Sequence, residues 1–208
     1  MTVGLWVDPP RRGLYLPPMT RLISGLALAA FIAVAGACSD PNALADPSLR
    51  NEVDSAVTLW SLSQGPLTRP VAYSIIARNG VRTWEAGSAF EFVFDVTADG
   101  RAVFIPTDLL GLLGTTALKP GLRPSTATFD QMTRAPSNGY TVSDTIPAVV
   151  GDRFYIRTTI STCTVLSVPL YGKMEVTAVD TAAKTVTLKV LVNQNCGYRG
   201  LNEGLPKN

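Results

Sequence analysis

Short runs of alternating apolar residues fill the chain beyond residue 55, and this period of two limits its fold more than any other feature. The runs are rich in Val, Ile, Thr, Phe and Tyr, and Gly, Pro, Asn and Asp separate them. Every second residue of 90–96 is Phe or Val, and Thr-Ala-Asp-Gly at 97–100 predicts a turn into a strand at 101–106. Because alternate side chains of a strand point to opposite faces, the pattern predicts an all-β domain.

A second hairpin is predicted near the C-terminus. Apolar residues alternate through 174–178 and again through 186–192, and residues 179–184 supply the loop. Further strands are predicted at 57–62, 71–77 and 154–160. About seven short strands separated by turns are typical of an antiparallel β-sandwich or a barrel-like domain.

Two segments depart from this pattern. Thr107 to Leu113 predicts a short helix with Thr107 as its N-cap, or alternatively a buried loop. Residues 119–147 hold four prolines together with several Ser and Thr residues, so they predict long irregular connections.

The N-terminal region has the layout of an export signal. Residues 22–37 form a run of 16 uncharged residues that follows Arg21 and ends in small residues, as a helical signal segment does before its cleavage site. The run is shorter than the roughly 20 residues that a membrane-spanning helix needs, so we expect a cleaved signal. Residues 1–18 hold four prolines and fit no signal, and we therefore expect translation to start at Met19.

The end of the signal, Ala35-Gly36-Ala37-Cys38, resembles the lipobox of bacterial lipoproteins. The resemblance implies cleavage before Cys38, attachment of diacylglycerol to its thiol and acylation of the new amino group, so that membrane lipid is a partner of the protein. Alanine at position 35 departs from the leucine that is more usual there. Ser39 after the cysteine implies export to the outer membrane rather than retention in the inner one. The alternative is an ordinary secretory signal.

These features divide the chain into four parts. Residues 1–18 are an extension before the start, residues 19–37 are the signal peptide, residues 38–54 are a tether and residues 55–208 are the β-domain. The tether begins Ser-Asp-Pro-Asn after Cys38, a composition that favours a short flexible segment.

Two cysteines remain if Cys38 carries lipid. An even pair in an exported protein predicts a disulfide, here between Cys163 and Cys196. The alternative is a pair of metal-binding thiolates, but two thiolates without histidine make an incomplete zinc site. We therefore expect no metal.

The chain contains no histidine, which excludes Ser-His-Asp and Cys-His catalytic sites within it. Of the 18 Lys and Arg and 16 Asp and Glu, three basic residues and one acid precede Cys38, which leaves 15 of each sign. Those charges are scattered, whereas nucleic-acid binding needs clustered cations. The sequence also has no Gly-rich phosphate loop, so we expect no nucleic-acid partner and no cofactor.

The densest polar segment is 193–206, and it contains Tyr198, Arg199 and Glu203. These three side chains predict a candidate binding loop, since recognition residues usually lie on loops. The alternative, which the composition favours, is a structural terminal segment in which Asn side chains satisfy backbone groups and Arg199 pairs with a carboxylate.

Other polar and aromatic residues allow two further sites. A glycosidase needs two paired carboxylates. The candidates for such a pair are Glu91, Asp95, Asp99, Asp108 and Glu175. We expect these side chains to be exposed to solvent rather than paired in a site. Four aromatic residues are expected to pack in the core, and the alternative is that they form a stacking platform for sugars or peptides: Trp60, Tyr73, Trp84 and Tyr140.

The sequence therefore predicts a membrane-anchored envelope lipoprotein with a non-enzymatic β-domain that binds another envelope protein or a ligand. The alternatives are a periplasmic or surface hydrolase that uses carboxylates on glycans, and a purely structural envelope component. Converging carboxylates in a cleft would favour the enzyme, whereas an exposed aromatic patch would favour the binding protein.

Overall fold

The computed structural model describes residues 46–86, 89–115, 118–158, 163 and 168–207. All of them belong to one compact unit that spans residues 44–208. The extension 1–18, the signal 19–37 and Cys38 lie outside the described residues, so the predictions made for them stay predictions.

In the described part of the chain, ten strands form two antiparallel five-stranded sheets. Sheet 1 contains β1 (Val53–Trp60), β6 (Gly121–Ser125), β8 (Arg153–Arg157), β9 (Tyr171–Asp180) and β10 (Thr185–Asn193), in the order β1-β10-β9-β8-β6. Sheet 2 contains β2 (Ala72–Ser74), β3 (Asn79–Val81), β4 (Phe92–Val96), β5 (Ala102–Pro106) and β7 (Ile146–Pro147), in the order β3-β2-β4-β5-β7. The described helices are α1 (Thr83–Ala86) and a 3₁₀ helix (Thr107–Leu110). The predicted all-β, sandwich-like fold is confirmed.

The two sheets pack on a core of phenylalanines. The ring of Phe104 on β5 lies 5.1 Å from Phe92, 6.1 Å from Phe94 and 5.8 Å from Phe154, between ring centroids. Phe154 belongs to β8, so this contact joins sheet 2 to sheet 1. The contacts of Phe104 with Phe92 and with Phe154 are edge-to-face, a geometry that aromatic pairs prefer. The inward residues of sheet 1 complete the same core: Leu122, Ile156, Met174, Leu188 and Val190.

The outer face of sheet 1 is covered by chain rather than left to solvent. Tyr171 and Leu191 lie on that face and pack against Phe129 and Tyr140 from the connection between β6 and β7. Leu201 from the C-terminal segment joins the same cluster. The long connection therefore forms a third layer over the sheet.

Both predicted hairpins are confirmed. β4 pairs with β5 from Phe92 opposite Pro106 to Val96 opposite Ala102, and β9 pairs with β10 along their whole lengths, with a register shift at Leu188. The predicted strand at 154–160 is present as β8, which ends at Arg157, and residues 159–160 lie outside the described part of the chain.

The prediction of an irregular chain through 119–147 is wrong in part. Residues 121–125 form β6, in which Pro124 lies opposite Phe154 of β8. β6 is the last strand of sheet 1, and an edge strand tolerates a residue without an N–H donor. Pro124 therefore lies in a strand at the edge of the sheet and does not interrupt the strand.

The predicted capping role of Thr107 is also wrong. Its hydroxyl donates to the carbonyl of Phe90 at 2.6 Å, and the N-cap position is taken by Pro106 without a side-chain bond. The helix ends after four residues because Gly111 adopts a left-handed conformation with φ 71°.

The β-domain takes in part of the segment predicted as a tether. β1 begins at Val53, and Asn51 pairs with Gly204. The backbone N–H groups of Ser48 and Leu49 donate to Asn195 Oδ1 at 2.9 and 3.0 Å. The chain is therefore bound to the domain from Ser48 onward.

The predicted disulfide between Cys163 and Cys196 is present, with the two Cα atoms 5.7 Å apart. It joins the segment before β9 to the segment after β10, across a sequence separation of 33 residues. Cys163 is buried in the main core and Cys196 packs against it, so the bond braces the end of the longest hairpin.

Replacing both cysteines, Cys163→Ala with Cys196→Ala, should lower the free energy of unfolding by about 3 to 4 kcal/mol, since the unfolded chain regains the entropy of an open loop of this size. Urea denaturation with and without reductant measures the effect. Reductant should destabilise the wild type and leave the double variant unchanged. Equal stability of the two proteins without reductant would contradict the bond's role.

Candidate functional site

An open groove of about 560 Å³ lies beside the β2–β3 hairpin and α1. The hairpin supplies Ile76, Ala77 and Val81, and the α1 region supplies Ala86 and Ala89. Tyr73 and Ile75 of the same hairpin are buried in the main core. Because side chains alternate along a strand, the burial of Tyr73 turns Ser74 of β2 to the opposite side, where the groove lies. Ile76 reaches the same groove from the turn that follows β2.

Three large apolar side chains in this region are exposed. Ile76 lines the groove itself, whereas Leu67 and Trp84 line a smaller neighbouring pocket that shares Arg82 with it. Leu67 is 83% exposed, Trp84 is 66% exposed and Ile76 is 44% exposed. The indole Nε1 of Trp84 donates to the carbonyl of Leu67 at 3.5 Å, so the tryptophan lies against the loop before β2. We call the groove together with Leu67, Ile76 and Trp84 the Trp84 groove.

The charges at the Trp84 groove neutralise each other. The guanidinium of Arg82 lies 4.6 Å from the centre of the Trp84 ring and forms an ion pair with Glu85. Arg82 therefore covers one region of the indole and keeps the ring in place, at an energy of about 0.5 to 1 kcal/mol for an exposed cation–π contact. What the groove offers a ligand is mainly aliphatic and aromatic surface.

The predicted aromatic platform is not assembled in the structure. Tyr73 and Tyr140 are buried, and Trp60 is half-buried under Arg69, whose guanidinium lies 5.2 Å from the ring centre. Of these four residues, Trp84 alone is exposed. The three others pack as strand and loop aromatics usually do.

The candidate binding loop is held tightly against the domain. Tyr198 is buried, whereas Glu203 is exposed. Arg199 Nε donates to the carbonyl of Ala135 at 2.6 Å. Within the described residues Arg199 forms no ion pair, so the expected pairing with a carboxylate is wrong there, and this carbonyl of the covering connection takes its place.

Buried asparagines fix the rest of this C-terminal segment. Asn193 Nδ2 donates to the carbonyls of Tyr198 and Gly200 at 3.2 and 2.9 Å, and Asn51 Nδ2 donates to Gly200 at 3.1 Å. Amide side chains that satisfy buried backbone groups are what a structural segment needs. The three predicted loop residues therefore do not converge on one exposed site.

The five candidate carboxylates are each engaged within the domain, and none lines the Trp84 groove. Four of them bind neighbouring side chains: Asp95 binds Ser61 and Ser63, Asp99 binds Arg101, Asp108 binds Lys119 and Glu175 binds Arg153.

Glu91 is the exception to the expectation that these carboxylates are solvated, because it is 2% exposed. Its Oε2 accepts the backbone N–H of Ile75 at 2.7 Å, and its own N–H donates to the carbonyl of Tyr73 at 2.9 Å. Burial raises the pKa of the carboxyl to about 8. The group is therefore mostly protonated at pH 7, and it joins β2 to the chain that enters β4.

The residues that build the Trp84 groove were largely missed at the sequence level. A signal was present, since Trp84 stands between charged residues in Arg82-Thr83-Trp84-Glu85, outside any alternating run. Leu67 and Ile76 carry no such signal, because only the hairpin geometry brings them beside the tryptophan.

No known protein family, curated protein or solved structure matches the chain. Within the described ranges, no three His, Cys, Asp or Glu residues gather as metal ligands do. The helices of that part of the chain are all too short or too polar to cross a membrane.

Glu91→Gln should change how stability depends on pH. Between the ordinary pKa of 4.5 and about 8, the folded wild type keeps the Glu91 proton that the unfolded chain releases. The free energy of unfolding should therefore fall by up to about 1.4 kcal/mol for each unit by which the pH rises through this range. The amide removes this component. Urea denaturation at pH 5, 6.5 and 8 measures both slopes, with the exposed Glu85→Gln as control. Parallel slopes for wild type and Glu91→Gln would contradict the assignment.

Proposed function

We propose that the protein is a lipid-anchored component of the bacterial envelope whose β-domain binds an apolar segment of another envelope protein in the Trp84 groove. The observation that carries the binding part is the exposure of Trp84 beside an apolar groove. Tryptophan and arginine are the residues most enriched where protein–protein binding energy concentrates.

The lining of the groove favours a protein segment over a glycan. Sugar hydroxyls need several free hydrogen-bonding side chains, but Arg82 and Glu85 bind each other, and the other polar side chains in the lining are only the hydroxyls of Thr68 and Ser74. The remaining lining residues are small or apolar, such as Ala77 and Ala86. Apolar side chains of a partner would gain about 25 cal/mol per Å² buried there.

The anchor part of the proposal rests on the lipobox resemblance at Cys38. A mature chain that begins at Cys38 and is bound to the domain from Ser48 has ten residues between membrane and domain, which reach at most about 35 Å. The groove would therefore stay close to the membrane surface. Ser39 favours the outer membrane over the inner one.

The carboxylate hydrolase receives no comparable support. Its five candidate residues are bound to serines, basic side chains or a backbone N–H, so none of them is held ready for a glycosidic oxygen. We therefore keep the binding protein as the proposed function.

Cys38→Ser should abolish lipid attachment. Bacteria that express the full chain are fed an alkyne-tagged fatty acid, and the tagged protein is detected after purification. The wild type should carry the tag and Cys38→Ser should lack it. Cys163→Ser is the matched control, since it removes a cysteine that the proposal does not lipidate. A tag that persists in Cys38→Ser would refute the anchor.

A photo-reactive amino acid at position 67 should cross-link the partner in intact envelopes. The expected result is a product of one defined mass that is lost when Trp84→Ala is added, because the indole supplies much of the contact. Position 149, which is also an exposed apolar residue, serves as control and should give no such product. Products that survive Trp84→Ala, or that arise equally from position 149, would contradict the groove.

A further inference from the structure

A second pocket, of about 370 Å³, lies on the other side of the β2–β3 hairpin. The start of β1 supplies Glu52 and Asp54, the hairpin supplies Tyr73 and Arg78, and β10 supplies Val190. It shares no lining residue with the Trp84 groove. Its volume falls in the range of small-ligand pockets, about 300 to 1,000 Å³.

Tyr73 lines this pocket, and its hydroxyl has no partner among the residues that the structure describes. The residue is 1% exposed, and its ring stacks on Phe92 at 5.9 Å between centroids. The hydroxyl makes no hydrogen bond to any residue that the structure describes, and it is not one of the fully enclosed unpaired atoms of that part of the chain, which are Asn51 Oδ1 and Arg157 Nε. Burial, Glu91 and Asp54 raise the pKa of this hydroxyl, and Arg78 opposes them.

Arg78 brings a cation with no acidic partner. It ends the turn between β2 and β3 with φ 54°, a conformation that glycine or asparagine usually takes. Its Nε donates to Gln194 Oε1 at 2.8 Å and its Nη2 to the carbonyl of Arg50 at 3.3 Å. Among the described residues, no carboxylate lies within the 4.0 Å of an ion pair with Arg78, so the guanidinium keeps free donors.

Carboxylates line the same pocket from β1. Glu52 and Asp54 are two residues apart, so they project on the same side of the extended chain. Both are exposed, and neither forms an ion pair within the described part of the chain. Asp54 uses one oxygen to accept the N–H of Ala56 at 3.0 Å, which leaves the other oxygen available.

We propose that this pocket binds a small zwitterion, an amino acid or a dipeptide. Its carboxylate would bind the guanidinium of Arg78 and the hydroxyl of Tyr73, and its ammonium group would bind Asp54 and Glu52. A carboxylate on arginine is a strong, charge-assisted pairing, and it gives the tyrosine hydroxyl the acceptor that the domain does not supply. This site is separate from the Trp84 groove and does not depend on the function proposed for it.

Calorimetric titration of the full chain with three related probes tests the ligand class. Glycylglycine carries both charges, N-acetylglycylglycine lacks the ammonium group and glycylglycinamide lacks the carboxylate. Glycylglycine should bind at least about tenfold more tightly than either blocked form, which is the size expected for loss of one charged hydrogen-bonded contact. Absence of glycylglycine binding, or equal binding of all three probes, would overturn the proposal.

Tyr73→Phe separates recognition from structure. The substitution removes a hydroxyl without an internal partner, so urea denaturation should give an unchanged free energy of unfolding while glycylglycine binding weakens about tenfold. Tyr155→Phe, on the outer face of sheet 1, is the matched control and should bind like the wild type. Wild-type affinity in Tyr73→Phe would overturn the assignment of the hydroxyl.

The two carboxylates provide a second test. Both side chains are exposed, so replacing them should not disturb folding. Glu52→Gln with Asp54→Asn should weaken glycylglycine binding and should leave N-acetylglycylglycine unaffected, because only the first probe has an ammonium group. The wild-type preference for glycylglycine over N-acetylglycylglycine should therefore disappear. A preference that persists in the double variant would overturn the role of the two acids.

Discussion

The contact between Phe104 of sheet 2 and Phe154 of sheet 1 fixes how the two sheets face each other, and the positions of both candidate sites depend on it. Sheets that each bury one face need a partner for that face. In sheet 2 this need draws Tyr73 and Ile75 of the β2 region into the core. Ser74 between them then faces the Trp84 groove, which Ile76 joins from the following turn. Tyr73 lines the second pocket from the core side of the hairpin.

The hairpin β2–β3 therefore presents a different chemistry on each side. On one side, aliphatic residues and Trp84 form a surface suited to apolar side chains. On the other, Arg78 and the carboxylates of β1 form a pocket suited to charges of both signs. The disulfide and the buried asparagines hold the C-terminal segment, where the polar residues serve the backbone rather than a ligand.

Much of the fold follows from the sequence because the alternating runs are long where both hairpins form. The single disulfide follows from the number of cysteines and the export signal. The edge strand β6 was missed because Pro124 looks like a break until its place at the edge of a sheet is known. Glu91 was missed for a related reason, since a carboxylate in an alternating run predicts an exposed face, and only its bond to Ile75 explains its burial. The Trp84 groove joins residues from separate loops, which no local pattern connects.

Hydrogen–deuterium exchange of the full chain, with and without the partner captured through position 67, tests the central claim most directly. Binding in the Trp84 groove predicts slower exchange in residues 76–86, with the C-terminal segment 198–206 unchanged. Slower exchange in 198–206 and in the connection over sheet 1, with 76–86 unchanged, would contradict it.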